Sequence, residues 1–165
     1  MKSQPVLDTA RTIYILEGEI RRPDARLVKL RPATPSVDHA KLWIVYRVET
    51  LEWGSDITSR IRADIARWEA AGNMVEGIQI DFDAATMGLE GYAMFLKELR
   101  LELPAECKLG VTGLLDWSSN GDSAALINLS TTVDEIVLQT YQGTETIKGY
   151  QGYLASLARL NMPYR

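Results

Sequence analysis

The sequence predicts an α/β fold in which strands and helices alternate and the strands run parallel. Three observations lead there. Ile78, Ile80 and Phe82 alternate with Gln79, Asp81 and Asp83, the two-residue period of a strand with one apolar and one polar face. A helix-period pattern precedes this strand and another follows it, as in a βα unit. Further along, strand-like and helix-like stretches continue to alternate. An amphipathic antiparallel strand has the same period, and the flanks argue against it. In a (β/α)8 barrel the apolar face of such a strand meets the outer helices and the other face points into the barrel. A carboxylate at the C-terminal end of the strand then stands where barrel enzymes do their chemistry. Asp81 and Asp83 are therefore the centre of the functional question.

The first elements can be taken in order. Residues 6–11 read as the end of a helix, and residues 12–20 as a strand built on Ile13, Tyr14, Ile15 and Leu16. If Ile13 and Ile15 share a face with Glu17 and Glu19, both carboxylates fall at the C-terminal end, toward the barrel mouth. A solvent-facing pair is equally open. Residues 21–41 are a connection broken by Pro23, Pro32 and Pro35, with residues 26–30 as a short extra strand. Residues 41–49 form a strand whose near-continuous apolar run suits burial on both faces. Arg47 is its odd member. A buried arginine needs a partner, and a carboxylate on a neighbouring strand is the natural one; an arginine at the strand end reaching water is the alternative. Residues 56–71 read as a helix with Ile57, Ile61, Ile65 and Trp68 on its core face, Asp56 or Ser55 as cap and Gly72-Asn73 as stop.

After the central strand, residues 84–88 are a loop and residues 89–103 a helix with Tyr92, Phe95, Leu96, Leu99 and Leu103 on one face. Residues 108–117 read as a strand ending on Asp116 and Trp117, and residues 122–129 as a short helix. Residues 133–142 read as a strand placing Gln139 and Tyr141 on one face, and residues 146–160 as a helix. Five principal strands do not close the usual eight-stranded barrel. The chain is then an open parallel sheet or a piece of a larger barrel, organised as one domain over residues 1–165. A partial barrel exposes strand edges, which predicts self-association.

Composition narrows the function classes. With 165 residues, 46% of them hydrophobic and 24% charged, the chain resembles an ordinary soluble globular domain. A net charge of -4 and a pI of about 5.1 argue against a nucleic-acid partner. Arg21, Arg22, Arg26, Lys29 and Arg31 do cluster, with Asp24 interspersed, as in a solvated loop. The single cysteine, Cys107, allows no intrachain disulfide and precedes an apolar run, where it packs as a small hydrophobe. With His39 as the one histidine, neither a thiol-histidine pair nor a zinc site is expected, and no cofactor is implied. A carboxylate-bound magnesium or calcium stays open. No stretch has the length of a membrane span or of a signal-peptide core. The expected location is cytoplasmic for a complete chain and exported for a piece of a longer protein.

The run Glu76-Gly77-Ile78-Gln79-Ile80-Asp81-Phe82-Asp83 resembles the strand-four signature of family 18 glycoside hydrolases, the chitinase-like enzymes, which reads Asp-Gly-x-Asp-x-Asp-x-Glu. In that resemblance the family's acid falls on Asp83 and its assisting aspartate on Asp81. Gln139-Thr140-Tyr141-Gln142 is similar to the sixth-strand Met-x-Tyr motif followed by Asp or Asn. The chain departs from the pattern at two positions. Asp83 is one methylene shorter than the family's glutamate, and a misplacement on the order of 1 Å can cost about 100-fold in rate. Gln79 lacks the charge of the aspartate it replaces. A closer resemblance is to an uncharacterised bacterial family called domain of unknown function 3142. It is carried by Leu42-Trp43-Ile44-Val45-Tyr46-Arg47, by the run from Gly77 to Thr86, by Leu114-Leu115-Asp116-Trp117 and by the run from Val133 to Gly143. It spans most of residues 13–164. Together the resemblances imply a (β/α)8 TIM-barrel type fold, present in part, with about strands two to six.

Glycoside hydrolysis commonly uses two carboxyl groups, one protonated and one charged. Asp81 and Asp83, two apart on a strand, point the same way at about 7 Å. Repulsion and burial would raise the pKa of one of them, as a general acid requires, and Arg47 would oppose that. In the substrate-assisted mechanism that the resemblance implies, Asp83 protonates the leaving oxygen. Asp81 orients the substrate's acetamido group, and Tyr141 hydrogen-bonds nearby. Asp116 is a spare carboxylate, and Trp117 and Trp53 offer rings for stacking on sugars. Arg47, Gln79, Gln139 and Gln142 complete the expected contacts to a carbohydrate. Two other readings stay open. Gln79, Asp81, Arg47, Gln139 and Tyr141 could satisfy one another as a buried polar network, or the barrel could bind a glycan without turning it over.

Overall fold

The computed structural model describes residues 9–82, 88–114, 117, 123–139, 141–142, 145–159 and 164–165. Six strands join in one sheet: β1 (Thr12–Arg21), β2 (Arg26–Lys29), β3 (Lys41–Val48), β4 (Met74–Phe82), β5 (Lys108–Leu114) and β6 (Glu135–Gln139), in the order β2-β1-β3-β4-β5-β6. A separate antiparallel ribbon pairs β7 (Tyr141–Gln142) with β8 (Glu145–Thr146). The helices are α1 (Ser55–Ala70), α2 (Leu89–Glu102), α3 (Ser123–Thr132) and α4 (Tyr150–Arg159). The chain divides into two compact units, Met1–Gln79 with Leu103–Lys108, and Ile80–Glu102 with Leu109–Arg165.

In the first unit β1 and β3 run parallel, Ile13 opposite Leu42 and Ile15 opposite Ile44. The extra strand expected over residues 26–30 is β2, antiparallel to β1. Ile57, Ile61, Ile65 and Trp68 of α1 are all buried, as their spacing predicts. The N-cap of α1 is Gly54, which makes no side-chain cap bond, so neither Ser55 nor Asp56 caps the helix. Asp56 instead lies in its first turn, favourable to the helix dipole. The stop is as expected. Gly72 takes φ +86°, its N–H donates to the Glu69 carbonyl at 2.9 Å, and the Asn73 N–H reaches the Trp68 carbonyl at 3.3 Å. This is a Schellman closure, which favours glycine. The Asn73 side chain then ties the connection down, with Oδ1 accepting from Val37 N and Nδ2 donating to Pro35 O.

A β-bulge breaks the alternation of β1. The register slips between Leu16, opposite Val45, and Gly18, opposite Tyr46, which leaves Glu17 as the extra residue. Glu17 therefore turns toward α1 beside Arg67 and Trp68, while Glu19 lies opposite Arg47. The two glutamates do not share a face, against expectation. The bulge changed the parity after Leu16.

In the second unit Ile80 is fully buried, and Phe82 packs on Tyr92 of α2, with ring centroids 5.1 Å apart. The apolar face of this end of β4 thus meets a helix. β5 and β6 are parallel, Gly110 opposite Glu135 and Gly113 opposite Leu138. Asp134 locks the start of β6: its carboxylate accepts from Leu109 N at 2.8 Å and pairs with Arg100 of α2 at 3.0 Å. β5 ends at Leu114, short of the expected residue 117, and Trp117 is helical. Of the strand expected over residues 133–142, the described residues give β6 in the large sheet and β7 in the ribbon. The last helix begins at Tyr150 because Glu145 and Thr146 are drawn into the ribbon and Gly149 turns the chain at φ +75°. Tyr164 bridges Ile136 in parallel, and Arg165 donates its N–H to Ile136 O at 2.7 Å. Much of the helix end expected over residues 6–11 lies outside the described residues.

Candidate functional site

In the first unit Arg47 has a carboxylate partner on a neighbouring strand, one of the two arrangements expected. Its Nη1 lies 3.4 Å from Glu19 Oε1, on the neighbouring parallel strand. Its side chain is 56% exposed, so the arginine is paired but not buried. Arg21 shares the same carboxylate, with Nε 2.9 Å and Nη2 2.6 Å from Glu19 Oε2. Trp53, expected to offer a ring for stacking, is half-buried. Gln79 is buried, 6% exposed, between the equally buried Ile78 and Ile80 in sequence.

The first unit also holds a polar network that the sequence argument did not anticipate. Glu17 is fully buried and accepts from Arg67 Nη2 at 2.6 Å and Trp68 Nε1 at 3.0 Å. Arg67 also bonds Asp64 at 3.0 Å, and the Tyr46 hydroxyl donates to Asp64 Oδ2 at 3.1 Å. Arg67 additionally contacts the Thr34 hydroxyl, and Lys29 lies 3.8 Å from both carboxylates. Burial and the Asp64 carboxylate push the Tyr46 hydroxyl far above its usual range, so it remains a donor. Burial works against the charge of Arg67, but Asp64 and Glu17 outweigh it and hold the guanidinium charged. The network lies between strand and helix. Its members are not those of the expected network of Gln79, Asp81, Arg47, Gln139 and Tyr141. The signal was Glu17 itself, a carboxylate in an apolar strand, with an Arg-Trp pair on the helix that packs there.

Glu76, the first position of the central motif, pairs with Lys108 at 2.7 Å and Lys41 at 3.3 Å. The Lys108 hydrogen bond, opposed by partial burial and helped by Lys41, holds its carboxyl below the ordinary value. Next to it, a Cβ on Gly77 would overlap the Lys108 carbonyl and lie 2.8 Å from Trp43 Cζ3. The motif's first two residues thus fasten strands together rather than meet a ligand.

In the second unit Asp81 is half-buried near the end of β4. With Phe82 against Tyr92, strand alternation sends Asp81 to the opposite face. Burial and then the Asp81 charge push the Tyr92 hydroxyl well above its usual pKa, and it donates to Ile80 O at 3.4 Å. Gln139 ends β6, half-buried, opposite Leu114. Tyr141 and Gln142 belong to the ribbon, where their backbones pair with Thr146 and Glu145. Trp117 is fully buried, edge-on to Tyr92 at 6.4 Å. It fills the core beside Gly113 and offers no face to a sugar, because the strand ended before reaching it. Asp83 and Asp116 lie outside the described residues. Among the described residues no group of three His, Cys, Asp or Glu side chains is placed to hold a metal, and no helix is long and apolar enough to cross a membrane.

The alternation of parallel strands and helices defines an α/β fold of the (β/α)8-barrel type, present in part. The chain belongs to the family described as Domain of unknown function (DUF3142), whose model matches residues 48–153. No curated protein matches it. Solved structures that share its fold include two from spore proteins. The Bacillus cereus spore cortex-lytic enzyme SleL superposes with a TM-score of 0.67 at 19% identity, covering 93% of this chain and 41% of that one. The chitinase domain of the spore coat protein CotE from Clostridium difficile superposes with a TM-score of 0.66 at 11% identity, covering 93% of this chain and 57% of that one. The chain thus spans roughly half the length of these relatives. The resemblance to chitinase-like proteins holds at the level of fold.

Proposed function

We propose that the chain is part of a glycoside-hydrolase-like protein that acts on a polysaccharide or oligosaccharide. Asp83 is the general acid, and Asp81 the charged partner that orients the substrate. Tyr141 donates a hydrogen bond near the substrate's reacting group. Asp116, Gln139 and Gln142 supply further contacts. The observation that supports this most is the face assignment at the end of β4. Phe82 is committed to Tyr92, which leaves the Asp81 face for a ligand. A carboxylate there has the placement that barrel hydrolases use.

The test is turnover of chito-oligosaccharides and other glycans by wild type and Asp83→Asn. The amide keeps the shape but cannot give up a proton, so turnover should fall by at least about 100-fold while binding persists. Equal turnover by both proteins would remove Asp83 from the mechanism. A second reading, a glycan-binding protein without catalysis, is supported by the two departures from the hydrolase pattern, Asp83 for glutamate and Gln79 for aspartate. It predicts binding, with no turnover by wild type on any glycan.

A further inference from the structure

The basic cluster of the sequence resolves into two groups. Lys29 leans toward Glu17 and Asp64, and Arg31 Nε donates to Leu16 O at 3.0 Å. Arg21 and Arg22 go elsewhere, to the place where β1 and β3 end. There Glu19 draws Arg21 onto one carboxylate oxygen and Arg47 onto the other. Immediately after β1, Arg22 is fixed by Glu49. Its Nε donates to Glu49 O at 2.9 Å and its backbone N–H to Glu49 Oε2 at 3.0 Å. Three guanidinium groups are thus held around two glutamates, in a chain whose net charge is -4. The Arg21 and Arg47 side chains are 50% and 56% exposed.

The Glu19 side chain is 16% exposed and needs a partner for its charge, but the two arginines are half-exposed, and one of them would meet that need. Guanidinium groups held in place are suited to something else. Their flat fork of donors matches a carboxylate in a way that an ammonium does not. Glu19 sets where the forks stand. Its register partnership with Arg47 and its two-residue spacing from Arg21 are fixed by the backbone. The order of charges also matters, because the arginines lie on the two strand ends rather than on a long loop.

We propose that Arg21, Arg22 and Arg47, arranged by Glu19 and Glu49, form a site in the first unit for a carboxylate-bearing sugar. This rests on the carbohydrate function proposed above and adds the class of sugar. Arg47 and Arg21 bind the carboxylate, and Glu19 is a positioning residue.

The test is calorimetric titration of the whole chain with a galacturonic-acid trisaccharide, with chitotriose and with inorganic phosphate. Wild type is compared with Arg21→Gln, Arg47→Gln and Arg47→Lys. The acidic trisaccharide should bind wild type, more weakly as salt rises. Loss of one charged hydrogen-bonding partner should weaken it about tenfold or more in each glutamine variant. Arg47→Lys should recover only part of that, since charge returns without the fork. Any binding of chitotriose should be the same in wild type and Arg21→Gln. Unchanged affinity for the acidic sugar in both glutamine variants overturns the subsite. So does phosphate binding as tight as the acidic sugar, which would make the cluster a general anion site. Failure of the acidic sugar to bind at all also overturns it. The Asp83→Asn comparison on neutral glycans decides the hydrolase proposal separately. The salt dependence is read on wild type alone, so it stands even if a variant folds poorly.

Discussion

At the residue scale, Glu17 shows how much one side chain can change. It reads from sequence as one of two similar strand-end carboxylates, yet it is sealed between β1 and α1 with three donors near it. A buried carboxylate is tolerable only while its partners stay. Glu17→Ala should therefore cost about 3 kcal/mol, the lower end for a broken buried pair, because Arg67 still reaches water. Urea unfolding checks this through the shift in midpoint at constant slope. A loss under about 1 kcal/mol would place the pair with exposed salt bridges instead. Glu19, two residues on, is paired instead with two half-exposed arginines. Its arrangement with Arg21 and Arg47 is where a ligand would be felt.

At the element scale, β4 combines two tasks. Its beginning is structural, with Glu76 between two lysines and Gly77 pressed against the Lys108 carbonyl and Trp43. Its end carries Asp81. A glycine with a neighbour on top of its absent Cβ differs from a glycine in open space. Gly77→Ala should destabilise the protein by about 1–3 kcal/mol through overpacking. Gly91→Ala, on α2 with nothing within 4 Å of the added carbon, should be neutral or stabilise by up to about 1 kcal/mol. Thermal melts of the two variants side by side make the comparison. Equal effects would mean that the close approach at Gly77 relaxes freely.

At the scale of the whole molecule, the sheet order leaves β2 and β6 as its terminal strands. β2 is four residues long and carries Arg26 and Lys29 at its two ends, features that discourage edge pairing. β6 is different. Its centre is Ile136-Val137-Leu138, and among the described residues only 164–165 pair along its outer side. An apolar edge of this kind favours association. Light scattering across a concentration series should show growing mass, and a monodisperse monomer at every concentration would argue against it.

The sequence by itself determined the alternation of strands and helices, the core face of α1, its glycine stop and the apolar commitment of Ile78, Ile80 and Phe82. These follow from local periodicity and from the backbone freedom of glycine, which act within a few residues. It also pointed to a carboxylate partner for Arg47, which is present although the arginine is not buried. What only the tertiary structure decided was parity and closure. One bulge separated Glu17 from Glu19. Trp117, expected to end β5, is helical and buried in the core, and Tyr141 pairs with Thr146 in a two-stranded ribbon. Each of these depends on how a strand pairs with distant partners. Periodicity along the chain carries no record of where that pairing slips or stops.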